Sequence, residues 1–158
     1  MQTIINLAPE HYPWDLLLLA DPSRELVEDY IKVSIVLGLQ NAGEIAGVIV
    51  VTPLSPTSWE IKNLATRPKH QGKGLGTTLL KEALKACAER GASEVWIGTG
   101  NSSLKQLKLY QKIGFRMVAI DRDFFMRNYN EPIFEDGIQC RDMIRLVHHL
   151  QEPQRHVP

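Results

Sequence analysis

The sequence predicts an α/β or α+β domain built around one β-sheet whose two faces are both covered by helices. The chain of 158 residues fits one domain, and its 44% hydrophobic residues can fill a substantial core. Segments with strand patterns alternate with segments of helical spacing. Their order is strand, two helices, three strands, helix, strand, helix and two strands, which is typical of a single layered sheet.

The first half of the chain contains four predicted strands and two predicted helices. The strands are TIINLA, VSIVLGLQ, IAGVIVVTPL and WEIKNLAT, and a NAGE turn joins the second and third into a hairpin. PEHYPWDLLLLA is predicted as the first helix. PSRELVEDYI is predicted as the second, with Asp21 as its N-terminal cap and Pro22 at its first position.

The second half contains two further helices and three strands. Residues 74–90 carry apolar side chains at helical spacing, and Gly91 ends that helix. After the strand EVWIGTG, the segment SSLKQLKLYQKIGF is a helix that stops at Gly114. FRMVAIDRDFF and CRDMIRLVHHL are predicted as the last strands, separated by a long loop, MRNYNEPIFEDGIQ. We expect residues 1–150 to form one domain and residues 151–158 to be a flexible tail.

Charge and targeting features narrow the functional classes. Lysine plus arginine equals aspartate plus glutamate at 18 each, so no global field draws the chain to nucleic acid or to a membrane. The apolar run at residues 15–20 is too short to span a bilayer, and no basic segment precedes it. We therefore expect a cytoplasmic protein with neither a nucleic-acid nor a membrane partner.

The cysteines and histidines give no indication of a metal site. Cys87 and Cys140 are far apart and form no C-x-x-C pair, and the five histidines form no H-x-x-x-H pair. Cys87 lies on the apolar stripe of its helix, which predicts a buried, unreactive thiol. We expect no structural metal.

The segment QGKGLG combines bare backbone, positive charge and the start of a helix. Free N–H groups and the positive end of a helix dipole favour an anion, and glycines allow a phosphate to approach the main chain closely. We expect Lys73, Lys69 and Arg67 to add charge around it. The segment matches neither a Walker A loop, because Gly74 follows Lys73, nor the G-x-G-x-x-G dinucleotide pattern. A glycine-rich turn that binds nothing is the alternative.

Residues 71–76 resemble the Q/R-x-x-G-x-G/A signature of the GNAT superfamily of acyl-CoA-dependent N-acetyltransferases. The resemblance implies a mixed, mostly antiparallel sheet of about seven strands, splayed between strands 4 and 5. It also implies acetyl-CoA as co-substrate, with its pyrophosphate on main-chain N–H groups between the fourth strand and the third helix. The cofactor-binding residues implied for this region are Leu64, Ala65, Thr66, Gln71, Gly72, Lys73, Gly74, Leu75, Gly76 and Thr77.

The segment LKLYQKIGFR resembles the family's second signature, L-Y-x-K-x-G-F. By that resemblance Tyr110 is the general acid that protonates the departing thiolate, a role that a phenol of pKa about 10 can fill. A tyrosine packed only for its ring is the alternative. Family helices often begin with an asparagine seven residues before this tyrosine, which contacts pantetheine. Ser103 stands there, and Asn101 lies two residues earlier, so either is a candidate for that contact.

The strand WEIKNLAT changes its apolar face between Ile61 and Leu64, which predicts a register slip or a β-bulge. This resembles the bulged fourth strand of the family, along which pantetheine pairs like an added strand, here at residues 64–66. Glu60 is the candidate general base, because an attacking amine must lose a proton. A solvated glutamate is the alternative. Glu28 and Asp29 are weaker candidates for binding a cation.

The late loop combines acidic and aromatic side chains, a composition suited to a cationic and partly apolar amine. Its acids are Glu131, Glu135 and Asp136. A surface loop or a homodimer contact are the alternatives. The sequence therefore predicts an enzyme that acetylates a small-molecule or peptide amine by direct attack. A non-catalytic acyl-CoA-sensing module of the same fold remains the alternative function.

Overall fold

A computed structural model describes residues 2–150, so the predicted tail at residues 151–158 lies outside the described residues. The nine strands of the described part are β1 Gln2–Asn6, β2 Ile35–Asn41, β3 Glu44–Ser55, β4 Ser58–Thr66, β5 Glu94–Gly100, β6 Arg116–Asp121, β7 Ile133–Glu135, β8 Ile138–Cys140 and β9 Met143–His149. Its five α-helices are α1 Trp14–Ala20, α2 Arg24–Ile31, α3 Leu75–Glu89, α4 Leu104–Ile113 and α5 Phe124–Asn128.

Seven strands form one mixed sheet in the order β1-β2-β3-β4-β5-β9-β6, and β7 and β8 form a separate hairpin. All neighbours in the large sheet are antiparallel except β4 and β5, which are parallel. That parallel pairing joins only residues 58–61 to residues 94–97. Beyond it the two strands part, which confirms the predicted splay between strands 4 and 5.

A β-bulge lies on β4, as the change of apolar face predicted. Ile61 pairs with Val51 and Asn63 pairs with Val50, so Lys62 has no partner residue on β3. The bulge reverses which side chains face each layer, and it therefore allows Ile61 and Asn63 both to be buried.

Two apolar clusters cover the two faces of the sheet. One packs α3 on the sheet and includes Leu79, Leu80 and Phe115, and the other packs α1 and α2 and includes Leu16 and Val27. The apolar stripe of α3 is thus buried where its spacing predicted, and Cys87 is fully buried in the first cluster. Among residues 2–150, none of the helices is long and apolar enough to span a bilayer.

The N-terminal helices begin later than the sequence predicted. Residues 9–11 form a separate 3-10 turn, and α1 starts only at Trp14, after Pro13. The cap of α2 is Ser23, whose Oγ accepts a hydrogen bond from the Leu26 N–H, so the prediction of Asp21 as cap was wrong. Asp21 instead accepts from the Ser23 N–H, which leaves its carboxylate beside the sheet.

The late part of the chain is more ordered than the predicted long loop. β6 ends at Asp121, and the aromatic residues that follow belong to α5 rather than to the strand. The hairpin β7–β8 then turns at Asp136 and Gly137, whose φ angles of 52° and 78° suit a tight hairpin turn. The prediction of one long loop was therefore wrong, because this segment contains α5 and the β7–β8 hairpin.

Candidate active site

A cavity of about 530 Å³ lies where β4 and β5 part. Its floor is formed by residues 60–64 of β4 and residues 97–100 of β5, and Tyr110 of α4 closes one side. Further parts of the wall come from α1, α2 and the loop between them, from the chain between β6 and β9, and from β9 itself. The cavity thus joins the open edge of β4 to the residues expected to handle an amine.

The glycine-rich loop presents main-chain donors at the start of α3. Gly72 and Gly74 have φ angles of 81° and 79°, a left-handed conformation that glycine adopts without strain. Gly74 caps the helix, and its carbonyl accepts from the Thr78 N–H. Within the described chain the N–H groups of residues 72–77 donate no hydrogen bond. These six donors point to an anion, because a helix N-terminus favours negative charge.

The basic residues before the loop are engaged elsewhere. Arg67 donates to the Ile45 carbonyl and pairs with Asp15 and Glu44, and Lys69 pairs with Glu44 at 2.9 Å. They therefore do not supply the charge that we expected around the loop. Lys73, which is exposed, remains as its cation.

The other residues predicted to bind the cofactor here, Gln71, Leu75, Gly76 and Thr77, are engaged within the protein or lie in α3. Gln71 reaches back to the Thr66 carbonyl at 3.4 Å, and the Leu75 side chain is buried in the core. Gly76 lies in α3 where an added Cβ would be 3.3 Å from Leu109, so this glycine allows α3 and α4 to pack closely. Thr77 lies in the first turn of the same helix.

The end of β4 has one unpaired edge. Leu64, Ala65 and Thr66 pair with β3 on one side only, because the pairing with β5 stops at Ile61. Free main-chain groups of an edge strand can pair with an extended ligand. The open edge leads from the glycine loop to the cavity, which is the path that a pantetheine arm would need.

Tyr110 is buried, at 5% exposure, at the last full turn of α4. Its ring packs on Phe115 with centroids 6.1 Å apart, and among the described residues its hydroxyl has no hydrogen-bond partner. Burial raises the pKa of Tyr110 above the usual phenol value of 10.0. A protonated, unpartnered hydroxyl at the cavity wall is able to donate to a ligand.

Glu60 is also buried, at 5% exposure, and its carboxylate lies between two cations. Oε1 is 3.0 Å from the Lys62 Nζ, and Oε2 accepts from the Arg145 guanidinium at 2.8 Å. Arg145 lies on β9, opposite Gly98 of β5, and Glu60 lies opposite Trp96. Arg145 reaches across β5 to the carboxylate, with its guanidinium carbon 5.4 Å from the Trp96 ring centroid.

The two candidate pantetheine contacts differ in their surroundings. Asn101 is engaged by the backbone: its Oδ1 accepts from the Arg141 and Asp142 N–H groups and its Nδ2 donates to the Gln139 carbonyl. Ser103 lines the cavity and donates to Glu135 at 2.9 Å. Asn101 therefore fixes the segment before β9, whereas Ser103 is accessible to a ligand.

The late segment, residues 124–140, forms a further part of the cavity wall. The Tyr129 hydroxyl donates to Asp21 Oδ1 at 2.8 Å, and the Tyr129 ring stacks on Phe125 with centroids 5.6 Å apart. Glu135 lines the cavity, whereas Glu131 and Asp136 are exposed and lie outside it. Of the three acids predicted for an amine, only Glu135 is therefore placed at the site.

Sequence reasoning missed three charged residues of the cavity, Asp21, Lys62 and Arg145. Asp21 lines the cavity, whereas Glu28 and Asp29, the residues that we expected to bind a cation, are exposed on α2 and do not line it. The only signal for Arg145 was an arginine between the apolar residues Ile144 and Leu146 of a predicted strand. Within residues 2–150 no group of histidine, cysteine or acidic side chains could hold a metal ion.

This architecture, a splayed mixed sheet with a donor-rich loop before the third α-helix, is the fold of acetyl-CoA-dependent acetyltransferases. The family model described as "Acetyltransferase (GNAT) family" matches residues 2–115. The chain belongs to this family, and acetyl-CoA is its co-substrate.

Three similar proteins support the assignment. The uncharacterized N-acetyltransferase YvbK of Bacillus subtilis (strain 168) is 50% identical over 133 residues, which cover 84% of this chain and 86% of that protein. The IAA acetyltransferase from Bacillus cereus ATCC 14579 superposes with a TM-score of 0.92 at 43% identity, covering 95% of this chain and all of that one. A GNAT family acetyltransferase from Elizabethkingia anophelis with acetyl-CoA bound gives the same TM-score and identity, covering 94% and 98%.

Proposed function

We propose that this protein transfers the acetyl group of acetyl-CoA to a primary amine by direct attack in a ternary complex. The observation that carries the proposal is the position of Tyr110 and Glu60 in one cavity, at the point where the β4 edge becomes unpaired. A proton donor for the leaving group and a carboxylate for the amine are the two groups that this reaction requires.

The free main-chain donors indicate where acetyl-CoA binds. We assign the pyrophosphate to the N–H groups of Gly72, Lys73, Gly74, Leu75, Gly76 and Thr77, which have no partner among the described residues. Pantetheine runs along the open edge at Leu64, Ala65 and Thr66, with Ser103 as the side-chain contact. The engaged amide of Asn101 supports a positioning role for that residue instead.

The reaction forms one bond and breaks another. The lone pair of the neutral amine forms the C–N bond at the thioester carbonyl, and main-chain N–H groups of β4 stabilise the oxyanion. The C–S bond then breaks, and Tyr110 gives its proton to the thiolate. Glu60 accepts the proton that the amine loses, directly or through water. No nucleophilic Cys–His or Ser–His pair lines the cavity among the described residues, which favours direct attack over a covalent intermediate.

One observation favours the alternative function, a non-catalytic acyl-CoA-binding module. Both Glu60 oxygens already contact a cation, Lys62 or Arg145, so the carboxylate has fewer free acceptor positions than an unpaired base. Each oxygen still has capacity for a further hydrogen bond, and we therefore keep Glu60 as the base.

An acetyl-CoA activity screen over classes of primary amines tests the proposal. Thiol release is followed with each amine, and the acetylated product is identified by mass. Amine-dependent thiol release with a product heavier by one acetyl group is the expected result. If coenzyme A binds but no amine in a broad panel releases thiol, the binding-module alternative is supported instead.

A further inference from the structure

We propose that the cavity contains a subsite for a second positive charge, so that the preferred acceptors are amines with a distal ammonium group. This inference rests on the proposed amine acetylation and specifies the acceptor class. The subsite consists of the Asp21 and Glu135 carboxylates, Asn63 and the aromatic walls of Tyr30 and Tyr129, all of which line the cavity.

The two carboxylates of the subsite lack a cation. Asp21 accepts only from neutral donors, the Tyr30 and Tyr129 hydroxyls and the Ser23 N–H, and Glu135 accepts from the Ser103 hydroxyl. No lysine, arginine or histidine of the described chain lies within 4.0 Å of either carboxylate. Two negative charges therefore face the cavity without internal compensation.

The cations of the same cavity are, by contrast, already paired. Lys62 and Arg145 both contact Glu60, so that group carries one net positive charge. The cavity thus has a negatively charged region at Asp21 and Glu135 and a region of net positive charge around Glu60, Lys62 and Arg145. A ligand with a second ammonium group complements the negative part, whereas a second carboxylate on the ligand would be repelled there.

A buried acceptor without a donor lies in the same region. Asn63 is 3% exposed and its Nδ2 donates to the Leu17 carbonyl and the Tyr30 hydroxyl, but its Oδ1 has no donor among the described residues. A buried unpaired acceptor costs free energy, which an N–H donor on a ligand would recover. An ammonium group brings three N–H donors and no acceptor.

Aromatic rings complete the subsite. Tyr129 stacks on Phe125, and Phe125 packs edge to face against Phe124 at 5.1 Å. Burial and the Asp21 charge raise the pKa of Tyr129, and burial does so for Tyr30, so both phenols stay neutral donors toward Asp21. Neutral aromatic faces beside carboxylates favour a cation with an apolar spacer.

The test compares 1,4-diaminobutane with 1-aminobutane, which differ in the distal ammonium. We expect the wild-type protein to show a kcat/KM at least about tenfold higher for the diamine, as a charge-assisted contact predicts. Asp21→Asn, which keeps the shape of the side chain, should remove most of that preference, so that the ratio of the two kcat/KM values falls towards one. Asp29→Asn is the matched control, because Asp29 is exposed on α2 outside the cavity.

A binding measurement separates this inference from the proposed function. Calorimetry of 1,4-diaminobutane with the coenzyme A-bound protein should show weaker binding for Asp21→Asn than for wild type, whether or not any amine is acetylated. If binding weakens but neither amine is acetylated, the subsite stands and the proposed function fails. If Asp21→Asn does not fold, Glu135→Gln takes its place. Equal rates for both amines in the wild type, or equal diamine binding in the variant, would overturn the subsite.

Discussion

The Tyr129 hydroxyl lies 2.8 Å from Oδ1 of Asp21, a contact between residues 108 positions apart in the chain. It connects the late segment to the loop between α1 and α2, and both of these segments line the cavity. Phe125 stacks on the same tyrosine, so one hydrogen bond and one aromatic stack hold this wall in place.

Tyr129→Phe should loosen that wall without removing the stack. A hydrogen bond to a charged group contributes about 1.5–3 kcal/mol, so we expect a lower free energy of unfolding and a several-fold higher KM for the amine. Affinity for acetyl-CoA should not change. Urea unfolding and steady-state kinetics measure these effects. Tyr12→Phe is the control, because the Tyr12 hydroxyl makes no hydrogen bond within the described residues. Matching results for the two variants would contradict the role of the contact.

Tyr110→Phe should lower kcat by more than about tenfold, because the leaving thiolate loses its proton donor. The phenol has no hydrogen-bond partner among the described residues, so the variant should fold normally and bind acetyl-CoA as tightly as wild type. Steady-state kinetics with saturating amine measure kcat, and calorimetry measures the affinity for acetyl-CoA. Unchanged turnover would remove Tyr110 from the mechanism.

Glu60→Gln should reduce kcat by about tenfold or more, in the range typical of a lost general base. Arg145→Gln removes a partner but keeps the carboxylate, so it should retain more activity than Glu60→Gln. Rates measured across the neutral pH range with the same amine allow this comparison. Losses of equal size in both variants would indicate that the ion pair positions the site and that Glu60 is not the base.

The glycine loop offers a matched pair of variants. Gly74 and Gly43 have nearly equal φ angles of 79° and 78°, and an added Cβ would meet no atom within 4 Å at either position. An alanine in this conformation costs about 1–2 kcal/mol, so both variants should be destabilised alike. Only Gly74→Ala should also weaken acetyl-CoA binding. Calorimetry measures that binding, and equal affinities in the two variants would place the pyrophosphate elsewhere.

Alkaline pH should destabilise the protein through its buried phenols. Burial raises the pKa of Tyr110 above 10.0, so the folded state keeps this proton at pH values where the unfolded chain has lost it. The contribution is constant below pH 10.0 and decreases above it, by at most about 1.4 kcal/mol per pH unit for one phenol. Urea unfolding at about pH 9 and about pH 11 should show a smaller loss for Tyr110→Phe. An equal loss in wild type and variant would contradict this.

Local sequence patterns predicted the fold, the bulge on β4 and the start of α3. The change of apolar face in WEIKNLAT predicted the bulge at which Lys62 has no partner residue on β3. The glycine spacing predicted the start of α3. Both features depend on residues close together in the chain. Backbone conformation and side-chain alternation are local properties, so the sequence contains them directly.

The acceptor side could not be predicted in the same way. The contact of Arg145 with Glu60 spans 85 positions and depends on which strand lies beside β5. Asp21 precedes a proline, as a helix cap often does, but Ser23 is the cap in the structure. The Asp21 carboxylate instead accepts a hydrogen bond from Tyr129. Such pairings are decided by tertiary packing, which single-sequence patterns do not specify.

The unpaired edge of β4 at residues 64–66 should also influence how long the protein persists in the cell. An open strand edge is a template for other chains, and a ligand that covers it removes this risk of aggregation. A ligand present at 100 times its Kd adds about 2.7 kcal/mol to the free energy of unfolding. The rate at which cellular proteases remove this protein should therefore fall when acetyl-CoA is abundant and rise when it is scarce, so that its abundance follows the metabolic supply of its own co-substrate.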